Sequence, residues 1–460
     1  MNTKYLPAIA FILLASSVFA QDDQLPQTLF TNVHVWDGTS DGITQRINVL
    51  VEGNVIKKLR ADASDAHSEA VVIDAPGMVL MPGLINSHTH LNLYGLTTTY
   101  AGLQSAQWSQ IGAQAAANAR DQLMDGFTTI RDTCGMDDGL QKLIDQGTLV
   151  GPRIYTAGAC ISPTSGHGEA RAPNQRKPGT APSYMEELGL IELADSPDQM
   201  RAASRRNFSN GAHFLKLMAG GGISSVIDPL WSVAYTAEEL EAAVEAAEFF
   251  DTYVMVHAYT DRTVSMAIDA GVKVVDHGQM ATDATVQKMV DNGIFWVTNL
   301  AALDKSLLAH PNFGVEPVKS KLEEFITGSS NLVSLIKKYK PKHVFGVDVV
   351  LSPTALARSS RDFEKFRFAE LFGNHAMLVA ATSTAGELAQ LTGRRNPYPG
   401  KLGVIEEGAL ADILIVDGNP LDDISVIGAQ EKWFDAEPRD EGIETIRVIM
   451  KDGKVYKNTL

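Results

Sequence analysis

Two histidines one residue apart, His88 and His90, close the apolar run GLINSHTH. On a strand, residues i and i+2 face the same side, so both imidazoles can reach one cation. Four more apolar runs carry or end in an ionisable residue: Lys216 in FLKLMAG, His257 in YVMVHAY, His277 in KVVDHG and Asp348 in HVFGVDV. Buried charge is costly unless it is paired or bound to metal. One such histidine is ordinary core. Four His, a Lys and an Asp on successive apolar runs are hard to explain that way. Imidazole and carboxylate are the usual ligands of zinc and similar ions, so the chemistry they suggest is that of a bound divalent cation.

Lys216 is the odd member, because an ammonium repels metal ions. A buried lysine can be a neutral amine, and a neutral amine can add CO₂ to give a carbamate, an anionic oxygen donor. A lysine in such a run can equally pair with a buried carboxylate. The sequence leaves both readings open.

The runs that carry these residues need a common frame. Eight candidate strands recur along the middle of the chain: GLINSHTH, FTTIRDT, RIYTAGAC, FLKLMAG, YVMVHAY, KVVDHG, IFWVTNL and HVFGVDV. Helical patterns such as TAEELEAAVEAAEFFD lie between several of them. Eight β/α units in this span fit a (β/α)₈ TIM barrel, whose strand ends converge on one mouth. The runner-up is an open doubly wound sheet, which would more often carry a Gly-rich phosphate turn after its first strand. Three stretches fit no regular unit, Leu93 to Gln107, Pro163 to Leu188 and Ala302 to Thr327, and these read as strand-end loops that build a pocket. Both chain ends are β-rich, with runs split by Asp/Gly turns. The fold class is therefore α/β: a barrel over 81–384 and a small β-sandwich domain assembled from 21–80 and 385–460.

The first twenty residues read as a signal peptide. Lys4 precedes an apolar run from Leu6 to Leu14, and Val18-Phe19-Ala20 provides a cleavage site. The apolar stretch is shorter than a spanning helix needs, so a periplasmic or secreted protein is expected, with no membrane association after cleavage. The formal charge is −16 and no Lys/Arg run stands out, which argues against a nucleic-acid partner. Only two cysteines occur, Cys134 and Cys160. In an oxidising compartment they can pair, and two buried free thiols is the equal alternative.

The order His-x-His, Lys, His, His, Asp resembles the binuclear metal-dependent amidohydrolase superfamily. So do the segments VIDAPGMVLMPG, PGLINSHTH and EGALADILIVDGNPL. TTIRD, SGHGE, VHAYT and VVDHG are similar to its exported, prolidase-like branch, which holds Xaa-Pro dipeptidases, carboxypeptidases of N-acyl amino acids and ochratoxin-degrading amidohydrolases. The resemblance covers nearly the whole mature chain. It implies two divalent cations, zinc by ligand type, with His88, His90 and Asp348 on one and His257 and His277 on the other. A carbamate on Lys216 would bridge them. It further implies amide or peptide hydrolysis by a metal-bridging hydroxide, with Asp348 as the base that shuttles the proton, and a homo-oligomer, an octamer among the options.

Other residues carry less. His167, in SGHGE, is read as a group that polarises the scissile carbonyl or binds a substrate carboxylate, against a plain surface-loop histidine. Tyr235 is read as a phenol for a carboxylate or oxyanion, against a packing aromatic. Arg131 is a structural ion-pair partner as readily as a site residue. Gly220 to Gly222 lacks the Lys-Ser/Thr of a phosphate loop, and close backbone approach is its simpler use. The rival readings are a lactonase or phosphotriesterase on the same site, and a non-catalytic scaffold on the same fold. The filled ligand positions count against the scaffold, and Lys216 counts against a deaminase.

Overall fold

The computed structural model describes residues 25–169, 171, 181–310 and 312–460. The expected signal peptide lies outside them. No helix among the described residues is long and apolar enough to cross a membrane.

Five strands come from the N-terminal stretch: β1 (Gln27–Val35), β2 (Ile47–Glu52), β3 (Val55–Leu59), β4 (Val71–Asp74) and β5 (Val79–Pro82). Ten follow in the middle: β6 (Leu84–Thr89), β7 (Phe127–Asp132), β8 (Arg153–Thr156), β9 (Cys160–Ser162), β10 (Ile191–Leu193), β11 (Leu215–Met218), β12 (Val254–Thr260), β13 (Val274–Met280), β14 (Phe295–Thr298) and β15 (Lys342–Phe345). Three end the chain: β16 (Ile413–Val416), β17 (Ile446–Lys451) and β18 (Lys454–Asn458).

The two β-rich chain ends build one sheet, in the order β18-β17-β16-β5-β1-β2-β3, with β4 also paired to β1. A bulge between Phe30 and Val33 lets β1 change partners, from β4 in its first half to β5 in its second. Asn32 sits there at φ 60°, a conformation asparagine tolerates better than most residues. The β17–β18 hairpin turns on Asp452 and Gly453, both at positive φ, as a two-residue turn of primed type requires. Phe30, Val33, Val49, Leu80, Ile413, Ile415 and Val448 form the core of this layer.

The ten middle strands are parallel to their partners. They form two sheets, β6-β7-β8 and β10-β9-β11-β12-β13-β14-β15. The expected strand RIYTAGAC is split into β8 and β9, because Gly158 adopts φ 69° and breaks the run. Hydrogen bonds tie the two sheets at both ends. His213 N donates to Thr156 O (2.7 Å), and Thr156 N donates back to His213 Nδ1 (2.9 Å). At the other end the amides of Val347 and Asp348 donate to His88 O at 3.2 and 2.9 Å.

Side chains alternate along these strands. Leu215, Leu217, Val254 and Val256 join the large cluster shared with the helices. Phe214, Tyr253, Met255, Val274 and Val344 join a second cluster, with the helix Ser383–Gln390, which straddles the expected boundary at 385, packed beneath them. Lys216, His257 and Asp276 follow the parity of this second set, so the same face that forms a hydrophobic plug lower down presents ionisable groups above it. Arg131 is fully buried among these groups. It donates to Ser87 O and Tyr253 Oη, each at 2.9 Å, and lies 4.5 Å over the Phe214 ring. Among the described residues it has no carboxylate partner, so it is not the ion-pair member that the sequence allowed.

The three irregular stretches each contain a short helix, Tyr100–Ser105, Tyr184–Glu187 and Val318–Gly328. Val318, Leu322 and Phe325 recur at helical spacing and are buried.

The seam at His213 predicts an acid-sensitive stability. Burial, with the Arg395 guanidinium nearby, lowers its pKa to about 4. The folded state therefore releases a proton that the unfolded chain keeps near pH 6.5. The stability so gained is complete above pH 6.5 and is lost as pH falls through 4, on the order of 3 kcal/mol. His213→Asn should flatten the fall in melting temperature between pH 6.5 and 4, as followed by calorimetry. An unchanged slope would remove His213 from this role.

Candidate metal centre

The six expected ligands meet above the plug. His88, His90, Lys216, His257, His277 and Asp348 all line one cavity of about 1060 Å³. His88 Nε2 lies 3.1 Å from His90 Nε2 and 3.2 Å from Asp348 Oδ1, and His90 Nε2 is 3.0 Å from the same oxygen. Two imidazole nitrogens and a carboxylate oxygen thus converge on one point, all within 4.8 Å of one another. His277 Nε2 is 3.8 Å from Asp348 Oδ2 and has no hydrogen-bond partner although buried. The His257 ring packs 4.5 Å from that of His277, edge to face.

These donors fit divalent cations. Unpartnered imidazole nitrogen and shared carboxylate oxygen in a buried site are what a soft-to-borderline metal requires, and what a protein avoids otherwise. Burial lowers His277 to about 3 and holds His90 and His257 below the ordinary histidine value, so these rings are neutral lone-pair donors at neutral pH. Burial pushes Asp348 up, but His88 and His90 more than offset it and keep the carboxylate ionised.

Two of the imidazoles, His88 and His277, are aimed by a second group, and neighbouring backbone is held by others. Asp276 Oδ2 contacts His88 Nδ1 at 3.3 Å and forms an ion pair with Lys216. Asn299 Oδ1 accepts from His277 Nδ1 at 2.9 Å, which leaves Nε2 for the centre. Asp132 accepts from Leu91 N at 2.7 Å, and burial raises its carboxyl to about 7. In the helix Trp108–Met124, Asn118 and Gln122 hold the turn after His90 through Leu91 O, Tyr94 O and Thr89 Oγ1. Backbone strain is present at two of the expected ligands: His277 at φ 68° and Asp348 at φ 56°. For residues other than glycine this costs about 1–3 kcal/mol each and is typical of functional sites.

His167 lies at the cavity, its ring stacked on His257 at 4.3 Å with Nδ1 3.1 Å from Asp228 Oδ2. Gly220 to Gly222 serve close approach: a Cβ on Gly222 would sit 1.9 Å from His167 Cε1, and Gly221 O is 3.2 Å from His257 Nε2. Tyr235 is not brought to the site. It packs in the helix-facing core and does not line the cavity, its hydroxyl buried without a partner. Its place just before the helix Ala237–Glu248 turns it away from the strand ends. The two cysteines form a disulfide that joins the ends of β7 and β9 in the cavity wall.

Residues 79–348 match the model of the amidohydrolase family. The chain belongs to the amidohydrolase family. Among its relatives, ochratoxinase of Aspergillus niger is 29% identical over 391 residues, covering 82% of this amidohydrolase and 76% of the relative. A solved prolidase complexed with N-methylphosphonate-L-proline is 28% identical with a TM-score of 0.80, covering 94% of this chain and 100% of the other. A Xaa-Pro dipeptidase with methionine bound in its active site is 26% identical with a TM-score of 0.77, again over 94% and 100%. These relatives put the amidohydrolase in the prolidase-like branch, among hydrolases of amide bonds.

Sequence reasoning missed Asp276, Asn299 and Asp228. Asp276 was visible as a charge in VVDHG, but strand parity puts it and His277 on opposite faces. The left-handed backbone at His277 is what turns both inward. Asn299 and Asp228 lie outside the strands, where no periodicity marks them.

In this amidohydrolase Asn299→Ala should free His277 to rotate and weaken metal binding by about 10–100-fold. Competition against a chelator measures this, and an unchanged affinity would show that Asn299 does not aim His277.

Proposed function

We propose that this chain is an exported metal-dependent hydrolase of dipeptides or N-acyl amino acids. In this reading His88, His90 and Asp348 would hold one divalent cation, His257 and His277 would hold a second, and Lys216, as a carbamate, would supply an anionic oxygen donor to them. The observation that carries it is the convergence of His88 Nε2, His90 Nε2 and Asp348 Oδ1 within 3.0–3.2 Å of one another in a buried site. Lys216 supports the bridge by position, because it is buried and faces the same cavity; its ion pair with Asp276 is the alternative that the sequence left open, and a carbamate would replace it.

Bound cations supply a Lewis acid for the scissile carbonyl and make water nucleophilic at neutral pH. The rest falls to the chain. Asp348 Oδ2 accepts the proton of the attacking water and returns it to the departing nitrogen. His167 faces the substrate from beside His257. Apolar side chains, among them Leu93, Met185, Met218 and Ile223, line the cavity around this centre.

The frame is read as a closed (β/α)₈ barrel with the terminal sheet folded as a β-sandwich. The hydrogen-bonded seams at His213 and His88 support closure. Export is supported by the leader pattern, and the disulfide suits an oxidising compartment.

The outer cavity favours substrates with a bulky apolar group. Phe313 and His310, after β14, meet Phe434 and Trp433 from the segment between β16 and β17. Trp433 is fixed by stacking on Phe363 at 5.0 Å and by donation from Nε1 to Ser360 Oγ at 2.8 Å. Losing an aromatic face there costs about 1.4 kcal/mol or more of binding, tenfold in affinity.

One panel tests the reading: Xaa-Pro dipeptides, N-acyl-phenylalanines and lactones, assayed with the metal-loaded protein. Amide cleavage is expected, and turnover of lactones alone would replace it with a lactonase. Lys216→Ala should cut bound metal from two ions per chain to one or none by elemental analysis, with activity lost in parallel. Full metal content and wild-type activity in that variant would contradict the bridge. Trp433→Ala should raise KM about tenfold for substrates with an aromatic acyl group and leave N-acetyl substrates unaffected. An equal effect on both would assign Trp433 to stability alone.

A further inference from the structure

His167 is held more firmly than a loop histidine needs to be. Its ring lies flat on His257, with the planes 16° apart. On its other side is Asp228, a buried carboxylate 3.1 Å from Nδ1. A carboxylate only accepts, so Nδ1 carries the proton and Nε2 is the nitrogen left for the cavity. Asp228 itself does not line that cavity, whereas His167 does.

The carboxylate is in turn fixed on every side. Gly222 N donates to Asp228 Oδ2 at 2.5 Å, and Ser225 Oγ donates to Oδ1. Lys321, from the helix Val318–Gly328, donates through Nζ to Gly222 O at 2.5 Å and to Asp228 O at 2.9 Å. Gly222 has no room for a side chain against the His167 imidazole. Two separate segments and a helix thus converge on one imidazole orientation. Metal binding does not account for this, because the cradle reaches the expected ligands only through the His167 ring and the Gly221 carbonyl.

We propose that Asp228 is a positioning residue for the hydrolytic reaction: it accepts a hydrogen bond from Nδ1–H of His167 and so presents Nε2 to the substrate beside His257. This rests on the reading of the site as an amide hydrolase in which His167 meets the substrate. The arrangement is that of a carboxylate–histidine pair, in which the carboxylate sets tautomer and angle and does no chemistry of its own. A purely architectural Asp228 would hold the loop 220–228 whatever occupies position 167.

A double-mutant cycle separates these. The metal-loaded full-length protein is assayed on the amide that the wild type cleaves best, with kcat, KM, bound metal and melting temperature recorded for Asp228→Asn, His167→Ala and the double variant. Asp228→Asn should lower kcat by about 10–100-fold, with KM changed less and metal content retained. His167→Ala should lower kcat at least as much, and the double variant should be no worse than His167→Ala. Independent losses that multiply in the double variant would overturn the proposal, as would wild-type kcat or lost metal in Asp228→Asn.

Should Asp228→Asn fail to fold, Gly222→Ala displaces His167 by crowding the Cε1–Nδ1 edge of its ring while the Asp228 carboxylate is kept. The same kcat loss, absent in a His167→Ala background, is then expected, and an undiminished loss in that background would count against the proposal. If the wild type cleaves no amide at all, the amide-hydrolase reading fails while the pairing stays testable by ¹⁵N NMR of histidine-labelled protein. Asp228→Asn should move the ring-nitrogen signals that vanish in His167→Ala, and unmoved signals would refute the pairing.

Discussion

Three electron-rich atoms within 3.0–3.2 Å of each other, on two buried histidines and a half-buried aspartate, form the constraint on which the rest of this molecule depends. Lone pairs from His88, His90 and Asp348 repel unless a positive charge stands among them. In bulk water that repulsion is weak; in a buried site of low effective dielectric it is severe. The chain therefore has to supply a cation or a proton at that point, and it has to hold the donors together before either arrives. Most of the polar detail around the centre is understandable as the second requirement. Asp276 and Asn299 take the Nδ1 side of His88 and His277, so that only Nε2 of each remains to face inward, and Asp132 holds the backbone at Leu91 beside His90.

The same requirement explains why a strand-end site was used. Parity on β11, β12 and β13 sends Lys216, His257 and Asp276 to the face that lower down holds Phe214, Met255 and Val274. One alternation thus makes both a hydrophobic plug and a polar floor, at no cost in register. Parity alone cannot bring His277 in beside Asp276. The chain solves this with a left-handed residue, and it bends again at Asp348. Trp296 braces the first of these by donating to His277 O. Strain of this kind persists only where the surroundings over-determine it, and here a buried tryptophan and a ligand cluster do so.

This division also separates what was legible in the sequence from what was not. The His-x-His pair, Lys216, His257, His277 and Asp348 were legible because each breaks an apolar run. The β-rich chain ends were legible from Asp/Gly turns such as Asp452-Gly453. The break at Gly158, which splits one expected strand into β8 and β9, was invisible because glycine carries no pattern of its own. The helix Val318–Gly328 was hidden inside a stretch whose flanks are irregular, although Val318, Leu322 and Phe325 keep helical spacing. Tyr235 shows the opposite error: a phenol near a strand end is a site residue only if the backbone turns it inward, and here it does not. Asp228 and Asn299 act through hydrogen bonds between segments far apart in the chain, and nothing local records such a partnership.

The most distant partnership concerns the segment between β16 and β17. It belongs to the terminal sheet by connection, yet Trp433 and Phe434 form part of the cavity wall over the parallel strands. An ionic network holds it there: Arg439 reaches Asp125 and Asp362, both buried, and Asp125 also binds Arg361. A single buried pair of this kind contributes little net stability, since desolvation offsets most of its attraction. Its value is geometric, because two carboxylates on different helices accept one guanidinium in only one arrangement. The strand ends that hold the ionisable cluster are thus separate in the chain from the aromatic segment that walls the outer cavity. The cluster and the aromatic wall sit on separate layers, joined by a guanidinium that two buried carboxylates hold.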